Sequence, residues 1–535
     1  MRTLLIAGCI LNMSLGVYGQ GILNSIPDSL QEGTNEIVLY DNSHFVIEGI
    51  DKATYKQSYK AIILNKKASD RNYVRLDYSD FWEIKDAEIH LYNMNGKEFE
   101  KFKLKDFDDY STKGYSIADD SRAKIFRVIS NSYPYIVEVT YEYSVKGTMF
   151  YPTWIPQSDD KQSIISATLT VESQIDEGFR HKSINVQPET TSTDQKATWR
   201  VDSLVAYENE PYSPHREEYM PIVYLAPNVF TMGDYTGEMK TWNDFGTWQN
   251  QLLAPRNTLK PDQLTPIFAD LPTDASDLEI TRFIYNYLQQ NTRYVSVQLD
   301  IGGWQPFESG FVHEKKYGDC KALTFYTKSL LEIAGVDSYY TLITAGPKPG
   351  KILHPDFPAS TFNHVILTVP IEGDTVWLEC TSQTNPFGYL GHFTSDRDAL
   401  MIINEGAKVI HTRSYQLEEN VQSTKASITI AKDGSAQIEL QRDYSGLEIE
   451  NDGFDRACKK SSDEQAEWFI DEHDWGSVKL NEITLTEPSR EAVPKGKLKV
   501  SLNSKNAASV NGNRFFYKPF VFTDISYIRL NADER

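Results

Sequence analysis

The sequence predicts an α+β middle domain that is flanked by two mainly antiparallel β domains. Apolar and polar residues alternate over most of residues 20–252 and again over residues 413–535, which is the pattern of half-buried strands. Over residues 275–412 the apolar residues first recur at helical spacing and then form three strand-like runs. These changes of period divide the chain into three domains, with residues 253–274 as a linker between the first two.

The N-terminal domain is predicted to be a sandwich of antiparallel strands. Its run Ala87–Leu91 alternates apolar with polar residues, and the pair Asn95-Gly96, typical of a hairpin turn, follows it. A second run, Val137–Tyr143, has apolar or aromatic residues at every other position. A sheet with one face on a core explains both runs, and no cluster of catalytic side chains stands out in this domain.

The middle domain is predicted to begin with a helix. The preceding linker contains four prolines and has little periodicity. Ser276 and Glu279 then have the spacing of a capping box, which marks a helix start. The apolar stripe of this helix consists of Ile280, Phe283, Ile284, Tyr287 and Leu288.

A second helix and three strands complete the predicted middle domain. The helix begins near Cys320 and ends at Gly335, because glycine favours the C-terminal end of a helix. The predicted strands are Ser338–Thr344, Phe362–Val369 and Thr375–Thr381.

The C-terminal domain is predicted to be β-rich. Ile428 and Ile430 are expected to pair with Ile438 and Leu440 across a hairpin turn at residues 433–434. A short helix near residues 463–471 interrupts the strands.

The charge balance argues against one class of partner. The 535 residues include 54 Lys and Arg against 75 Asp and Glu, which gives a formal net charge of −21. A nucleic-acid-binding face needs clustered positive charge, so no nucleic-acid partner is expected. Hydrophobic residues make up 40% of the chain, which is ample material for packed cores.

The first nineteen residues predict export. Arg2 precedes an apolar run, Leu4–Val17, and the small residue Gly19 ends the segment, as in a secretory signal. This run is too short to span a bilayer comfortably, and no later run approaches ~20 apolar residues, so no transmembrane segment is expected after signal removal. We therefore expect a periplasmic or extracellular protein. Lipoprotein anchoring through Cys9, within the sequence IAGC, is the alternative.

Removal of this signal leaves three cysteines, Cys320, Cys380 and Cys458. An odd number in an exported chain leaves at least one thiol unpaired within the chain. Cys320 follows Asp319, a helix-capping residue, at the predicted start of the second helix. A thiol there faces free N–H groups and the positive end of the helix dipole, and both favour thiolate over thiol. The same amides can stabilise a negative oxygen that develops on a substrate carbonyl.

A thiolate nucleophile needs an imidazole that holds its proton and returns it. His364 lies at the start of a predicted apolar strand, which is a rigid place for such a base. Glu379 lies on the next strand, and adjacent antiparallel strands can place the two side chains a few ångströms apart. A carboxylate there would orient the imidazole. Each residue alone has an ordinary structural explanation, so it is their combination with Cys320 that indicates a cysteine active site.

Three segments resemble the signatures of the bacterial transglutaminase-like superfamily, namely Gly318-Asp319-Cys320, Asn363-His364-Val365 and Trp377-Leu378-Glu379-Cys380-Thr381. The resemblance covers about residues 275–400, and the upstream segments Arg293–Val297 and Gly302–Pro306 are also similar to that family. It implies a papain-like core with Cys320 as nucleophile, His364 as base and Glu379 in the orienting position. The family more commonly has Asp at this third position.

The flanking regions fit the same resemblance. The N-terminal region is similar to an uncharacterised β-rich domain that often precedes this core in exported bacterial proteins. The last segment is similar to part of the β domain that often follows it, and because similar chains usually run on, we expect this domain to be incomplete. Such sites also use an upstream side-chain donor for the oxyanion, for which Gln305 and then Trp304 are candidates. The alternative is that Gln305 supports a turn and Trp304 packs.

Cys380 directly follows Glu379, so it points to the opposite face of its strand, which favours a buried structural thiol. A disulfide with Cys458 is the alternative. No close Cys/His spacing indicates a metal site, and no cofactor is expected.

The resemblance implies an exported cysteine enzyme that acts on amide or peptide bonds through an acyl-thioester at Cys320. Peptidase, amidase and transglutaminase activities are all compatible with it, and analogy favours hydrolysis over cross-linking. The expected partner is a protein or peptide substrate. The alternative is a non-catalytic scaffold of the same fold that binds proteins or the cell envelope.

Overall fold

The structure is a computed structural model, and it describes residues 21–68, 73–112, 118–130, 132–210, 213–346, 354–371, 373–471 and 478–517. The predicted signal segment, residues 1–19, and Cys9 lie outside the described residues. The chain divides into two compact units at Tyr235–Thr236. The second unit also takes in a short segment that ends at Asp119.

Short helices and long strands make up the chain as far as residue 238. The helices are α1 (Gly21–Asn24) and α2 (Asp28–Gln31). The strands are β1 (Glu36–Ile47), β2 (Lys52–Ile63), β3 (Tyr73–Tyr78), β4 (Trp82–Tyr92), β5 (Glu98–Lys103), β6 (Asp108–Ser111), β7 (Ala118–Asp119), β8 (Arg122–Arg127), β9 (Tyr135–Lys146), β10 (Gln162–Ser173), β11 (Phe179–Ile184), β12 (Lys196–Leu204), β13 (Ile222–Pro227), β14 (Val229–Met232) and β15 (Tyr235–Glu238).

The main sheet of the first unit has the strand order β12-β10-β1-β2-β9-β4-β5. Its neighbours pair antiparallel except β1 and β10, which are parallel. Phe45 and Leu169 of this sheet share one core with Leu76 of a smaller sheet, β3-β8-β6. The predicted hairpin is confirmed, because β4 and β5 pair around Gly96, whose φ is +76°.

The second unit mixes helices with shorter strands. Its helices are α3 (Trp242–Leu253), α4 (Pro261–Phe268), α5 (Asp277–Asn291), α6 (Ser309–Lys315), α7 (Cys320–Ile333), α8 (Gly391–Thr394), α9 (Glu448–Asn451), α10 (Phe454–Ala457) and α11 (Ser462–Asp471). Its strands are β16 (Arg293–Tyr294), β17 (Val297–Gln298), β18 (Tyr317–Gly318), β19 (Tyr339–Ile343), β20 (His364–Ile371), β21 (Asp374–Leu378), β22 (Asp398–Ile403), β23 (Gly406–His411), β24 (Val421–Ile430), β25 (Ala436–Ser445), β26 (Val478–Thr486), β27 (Lys495–Ser504), β28 (Ala508–Asn511) and β29 (Arg514–Tyr517).

The middle of this unit is a sheet with helices packed on it, as predicted for an α+β domain. The strand order is β21-β20-β19-β22-β23, and all neighbours are antiparallel. Leu288 of α5 and Leu323 and Tyr326 of α7 share a buried cluster with Leu367 and Val369 of β20. Both helices begin where the capping patterns predict, after Ser276 and Asp319.

The boundary between the units differs from the predicted one. Residues 236–252 are expected in the N-terminal domain, but α3 lies in the second unit, where Gly246 packs directly on the backbone of Gly406. The predicted linker also contains α4, whose Leu264 is fully buried. Pro261 is compatible with this helix because proline at the first helical position costs no hydrogen bond.

The last part of the described chain is a β-rich sheet of order β24-β25-β27-β26. Ile428 pairs with Ile438 as predicted, whereas Leu440 faces Ala426 because the register follows the turn at Gly434. The predicted helix near residues 463–471 is present as α11. Within the described ranges, no helix has both the length and the apolar character that crossing a membrane requires.

Candidate active site

Cys320 is the first residue of α7, and local interactions hold it there. Oδ1 of Asp319 accepts a hydrogen bond from N of Ala322 at 2.9 Å and so caps the helix. Gly318 is needed for close packing, since a Cβ at this position would lie 2.7 Å from Cβ of Ala322. Cys320 itself is buried. The structure therefore places this thiol at the N-terminal end of a well-capped helix.

His364 begins β20, and Glu379 directly follows β21, the strand that pairs with β20 and that ends at Leu378 rather than at the predicted Thr381. The two side chains contact each other. Nε2 of His364 is 2.8 Å from Oε2 of Glu379, and the two side chains are 8% and 3% exposed. The other carboxylate oxygen, Oε1, accepts hydrogen bonds from N and Oγ1 of Thr381 at 3.1 and 2.5 Å. The longer glutamate side chain is thus accommodated with both of its oxygens bonded.

The side chains of Cys320 and His364 interact, since Cys320 contributes to the raised pKa of the imidazole. Nε2 of His364 faces Glu379, which leaves Nδ1 as the ring nitrogen available to a sulfur. Burial disfavours a charged imidazole, but the charge of Glu379 and the interaction with Cys320 outweigh it and raise the pKa of His364 to about 10. Burial would likewise raise the pKa of Glu379, yet His364 and Thr381 lower it below its ordinary value of 4.5. The imidazole therefore carries its proton at neutral pH, between a sulfur and a carboxylate.

The residues directly before and after Cys320 in the sequence form a buried ion pair with each other. Nζ of Lys321 contacts Oδ2 of Asp319, and these side chains are 5% and 4% exposed. Burial lowers the pKa of Lys321, but the charges of Cys320 and Asp319 raise it above its ordinary value of 10.5, so the ammonium stays charged. Tyr340 of β19 also lies near this pair, and its buried hydroxyl has no hydrogen-bond partner among the described residues.

The two oxyanion candidates, Gln305 and Trp304, contact residues of the segment 245–256. Gln305 donates from Nε2 to the carbonyl of Leu252 at 3.4 Å, and its Oε1 accepts from Arg256. Trp304 packs its ring against the aromatic rings of α3 at centroid distances of 5.9 and 6.0 Å. Neither of these contacts involves Cys320 or His364, and both fit the alternative in which Gln305 supports a turn and Trp304 packs.

A short helix, α8, forms a wall beside the imidazole. The ring of Phe393 meets that of His364 edge-on at a centroid distance of 5.2 Å, and Phe393 is 47% exposed. Oε2 of Glu450, in the following β-rich part, accepts a hydrogen bond from N of His392 at 3.1 Å. Gly391 makes this approach possible, because a Cβ there would lie 2.2 Å from the Glu450 carboxylate. An element outside the predicted middle domain thus holds a wall of the site.

The sequence-based prediction did not include Thr381, Lys321 or Phe393. Thr381 could have been found, because it lies two residues after Glu379 and its amide and hydroxyl are therefore within reach of that carboxylate. Lys321 could have been noticed as a charged residue on the first turn of an apolar helix. Phe393 gave no signal, because its place beside His364 depends on how the short helix α8 packs.

The other two thiols lie in different surroundings. Cys380 is 3% exposed, packs in the cluster between α7 and the sheet, and burial raises its pKa to about 12. Burial also raises the pKa of Cys458 to about 12. Both are unpaired in the structure, so the alternative disulfide between them is not formed. Among the described residues, no cluster of three or more His, Cys, Asp or Glu side chains is arranged to hold a metal ion.

Comparison with known proteins identifies one domain family. Residues 51–208 match DUF3857, a domain of unknown function with a solved structure. This match lies within the region predicted to be an uncharacterised β-rich domain. No curated protein matches the chain.

Comparison with solved structures shows the fold. The chain is similar to a candidate protease from Parabacteroides distasonis, with a TM-score of 0.53 at 12% identity, over 88% of this chain and 94% of that one. It is also matched to a candidate cysteine protease from Cytophaga hutchinsonii, with a TM-score of 0.20 at 9% identity, over 68% of this chain and 86% of that one. The first similarity shows a shared fold over most of both chains.

Proposed function

We propose that this chain is a transglutaminase-like cysteine enzyme that acts on amide or peptide bonds through an acyl-thioester at Cys320. The observation that carries the proposal is that His364, whose Nε2 is 2.8 Å from Oε2 of Glu379, also interacts with Cys320. A nucleophile, a base and a group that orients the base form the arrangement that covalent acyl transfer requires.

The reaction follows from this arrangement. Sγ of Cys320 attacks the substrate carbonyl carbon, and the proton of the thiol resides on His364. The imidazolium then gives that proton to the leaving nitrogen, the C–N bond breaks, and an amine or ammonia departs. Water attacks the carbonyl carbon of the resulting thioester and passes one proton to His364. The C–S bond then breaks, a carboxylic acid departs, and the proton on His364 is again shared with the sulfur of Cys320, which restores the starting pair. Glu379 keeps the ring oriented and balances its charge throughout.

Helix α7 and the buried ion pair support the first step. The N-terminal end of α7 favours negative charge on the sulfur and on the carbonyl oxygen of the tetrahedral intermediate. The ammonium of Lys321 adds positive charge close to the sulfur, while Asp319 keeps the helix capped.

We further propose that the enzyme is exported to the periplasm or the cell exterior and that it hydrolyses protein or peptide substrates. The N-terminal signal pattern supports export. Hydrolysis is preferred over cross-linking by analogy with the family that the three segments resemble.

Alkylation by iodoacetamide across pH, read at each cysteine by mass spectrometry, tests the nucleophile. We expect Cys320 to react at pH 6 to 7 at least about 100-fold faster than Cys380 or Cys458, whose raised pKa values keep them protonated. His364→Ala should slow the alkylation of Cys320, whereas His411→Ala, at an exposed histidine, should not. Slow and equal labelling of all three cysteines would contradict the proposal and favour a non-catalytic scaffold.

A peptide library derived from a digested proteome tests the reaction class. Wild-type protein should generate new amino termini, and the Cys320→Ala variant should generate none. Release of ammonia without new termini would indicate an amidase, and loss of lysine-containing peptides into cross-linked products would indicate a transglutaminase. The absence of any product that depends on Cys320 would contradict an amide-cleaving enzyme.

A further inference from the structure

The segment that carries Glu379 is tied to helix α5 by hydrogen bonds to its backbone. β21 ends at Leu378, so the backbone pairing of the sheet stops just before Glu379. Tyr285 of α5, which is 1% exposed, donates its hydroxyl to the carbonyl of Glu379 at 3.2 Å. Gln289, about one turn further along α5, donates from Nε2 to the carbonyl of Ser382 at 3.0 Å. A helix therefore holds the backbone on either side of Thr381, although this backbone lies outside the sheet.

Thr381 uses this held backbone to place two donors on one carboxylate oxygen. Its amide and its hydroxyl both donate to Oε1 of Glu379, at 3.1 and 2.5 Å. The other oxygen, Oε2, is 2.8 Å from Nε2 of His364. Burial raises the pKa of Glu379, but His364 and the two bonds from Thr381 lower it below its ordinary value of 4.5. Thr381 and His364 thus each bind a different oxygen of the same carboxylate.

A glutamate needs such a second contact more than an aspartate does. Its additional methylene adds a rotatable bond, so its carboxylate can take up more positions relative to the imidazole. Hydrogen bonds to a charged acceptor are roughly twice as strong as those between neutral groups. The two bonds on Oε1 therefore restrict the torsions of Glu379 and leave Oε2 as the oxygen that faces His364.

We propose that Thr381 is a positioning residue of the active site, whose hydroxyl holds the carboxylate of Glu379 in the orientation that His364 requires. Thr381 acts on the imidazole and on the sulfur of Cys320 only through that carboxylate. This inference rests on the proposed function and adds a residue to the set on which the reaction depends.

The expected consequence of losing the hydroxyl is a change in how Cys320 is ionised near neutral pH. The carboxylate then stabilises the imidazolium less well, so a smaller share of the protein holds the proton on His364 and the negative charge on the sulfur. At high pH the thiol ionises whichever group held the proton, so the difference should vanish there. The other titratable groups around the pair are unchanged by the substitution, namely Asp319, Lys321, Tyr294 and Tyr340.

Alkylation of Cys320 by iodoacetamide at a lower pH of about 6 and a higher pH of about 10 tests this consequence without a substrate. Thr381→Val keeps the size of the side chain and removes the hydroxyl. We expect its rate to fall about tenfold at the lower pH and to stay within about twofold of wild type at the higher pH. Thr381→Ser restores the hydroxyl and should recover most of the rate. Thr375→Val, the same substitution near the start of β21, is the matched control and should leave both rates unchanged.

A double variant tests whether Thr381 acts through Glu379. Thr381→Val alone should lower the rate of formation of new amino termini about tenfold, less than Glu379→Gln, because the amide of Thr381 still donates to Oε1. In the Glu379→Gln background the charged group on which the hydroxyl acts is absent, so Thr381→Val should lower the rate by less than about twofold further. The alkylation rate at the lower pH gives the same comparison if cleavage is too slow to measure. Two effects that multiply in full would overturn the proposal, because Thr381 would then act independently of Glu379.

The outcomes separate this inference from the proposed function. Slow alkylation of Cys320 at the lower pH in the wild type would contradict both. Fast alkylation in the wild type that Thr381→Val leaves unchanged would overturn only the role of Thr381. Equal losses at the two pH values, or a loss that Thr381→Ser does not recover, would also overturn it, since such losses indicate a general disturbance of the fold. If Thr381→Val does not fold, Thr381→Ala removes the hydroxyl without putting a methyl group in its place and makes the same test.

Discussion

Two buried glutamates, one in each unit, are held in opposite ways. The carboxylate of Glu379 receives hydrogen bonds from His364 and from both the amide and the hydroxyl of Thr381. Glu36 is as deeply buried and accepts a hydrogen bond from Nε2 of Gln162, whose own Oε1 has no hydrogen-bond partner among the described residues. Both oxygens of Glu379 are thus bonded within its network, whereas the network of Glu36 includes an amide oxygen that no described residue bonds. The role of a buried carboxylate can therefore be inferred only together with its hydrogen-bond partners.

The largest effect is expected when the network around Glu379 loses the negative charge of its carboxylate. Glu379→Gln keeps the shape but cannot stabilise the imidazolium, so we expect the rate of substrate cleavage to fall on the order of 10²-fold or more. Glu405→Gln, at an exposed position, serves as the matched control. The measurement is the rate of formation of new amino termini from the peptide library. An unchanged rate in Glu379→Gln would contradict the orienting role.

The same variant should change how stability depends on pH. The folded-state pKa of His364 is about 10, above its ordinary 6.5, so its contribution to stability is fully present below pH 6.5 and is lost as pH rises through 10. The pKa of Glu379 is below 4.5, so its contribution is present above pH 4.5 and is lost on further acidification. Denaturant unfolding should show the largest difference between wild type and Glu379→Gln between these limits. A difference that is constant with pH would argue against the ion pair.

A smaller loss is expected when the buried ion pair beside Cys320 is broken. Asp319→Ala removes both the cap of α7 and the carboxylate that pairs with the buried ammonium of Lys321, which should cost about 3–5 kcal/mol in the free energy of unfolding. Ser276→Ala removes only the cap of α5, where the residue is more exposed, and should cost about 1 kcal/mol. Equal losses in urea denaturation would mean that the ion pair adds nothing to the cap.

The network around Glu36 should tolerate a glutamate-to-glutamine change better than the network around Glu379. Glu36→Gln retains an acceptor for Nε2 of Gln162, so we expect the free energy of unfolding to change by less than about 1 kcal/mol. Thermal and urea unfolding of the purified variant provide the measurement. A loss of several kcal/mol would mean that Glu36 is held by the fold as firmly as Glu379, and the comparison would fail.

The smallest effect is expected from a substitution of Tyr340, which is also buried in the second unit. Its hydroxyl is buried near Cys320 and has no partner among the described residues. Tyr340→Phe should therefore leave stability unchanged or raise it by up to about 1 kcal/mol. The alkylation rate of Cys320 should also stay the same. A slower rate would instead give this hydroxyl a part in holding the sulfur.

Local signals were sufficient to predict the helices and the two strands that carry the site. Ser276 and Asp319 mark helix starts because capping depends on residues within a single turn. The contact between His364 and Glu379 follows from the pairing of β20 with β21, because His364 begins the first strand and Glu379 directly follows the second. The short separation of these residues in the sequence makes that pairing simple to infer.

Features that depend on distant contacts could not be predicted in this way. Helix α4 was not predicted because its segment contains two prolines, and the fully buried Leu264 helps to stabilise it. The polar pair of Glu36 and Gln162 joins residues 126 positions apart, so no window of sequence contains it. The wall at Phe393 depends on Glu450 in the same manner.

This last contact limits where the chain can be shortened. A fragment that stops at residue 412 contains Cys320, His364 and Glu379 but lacks Glu450, which holds the amide of His392 next to Phe393. The carboxylate of Glu450 packs directly against Gly391, since a Cβ at that position would lie 2.2 Å from it. The smallest unit worth expressing for assays of the thiol therefore continues into the β-rich part that follows.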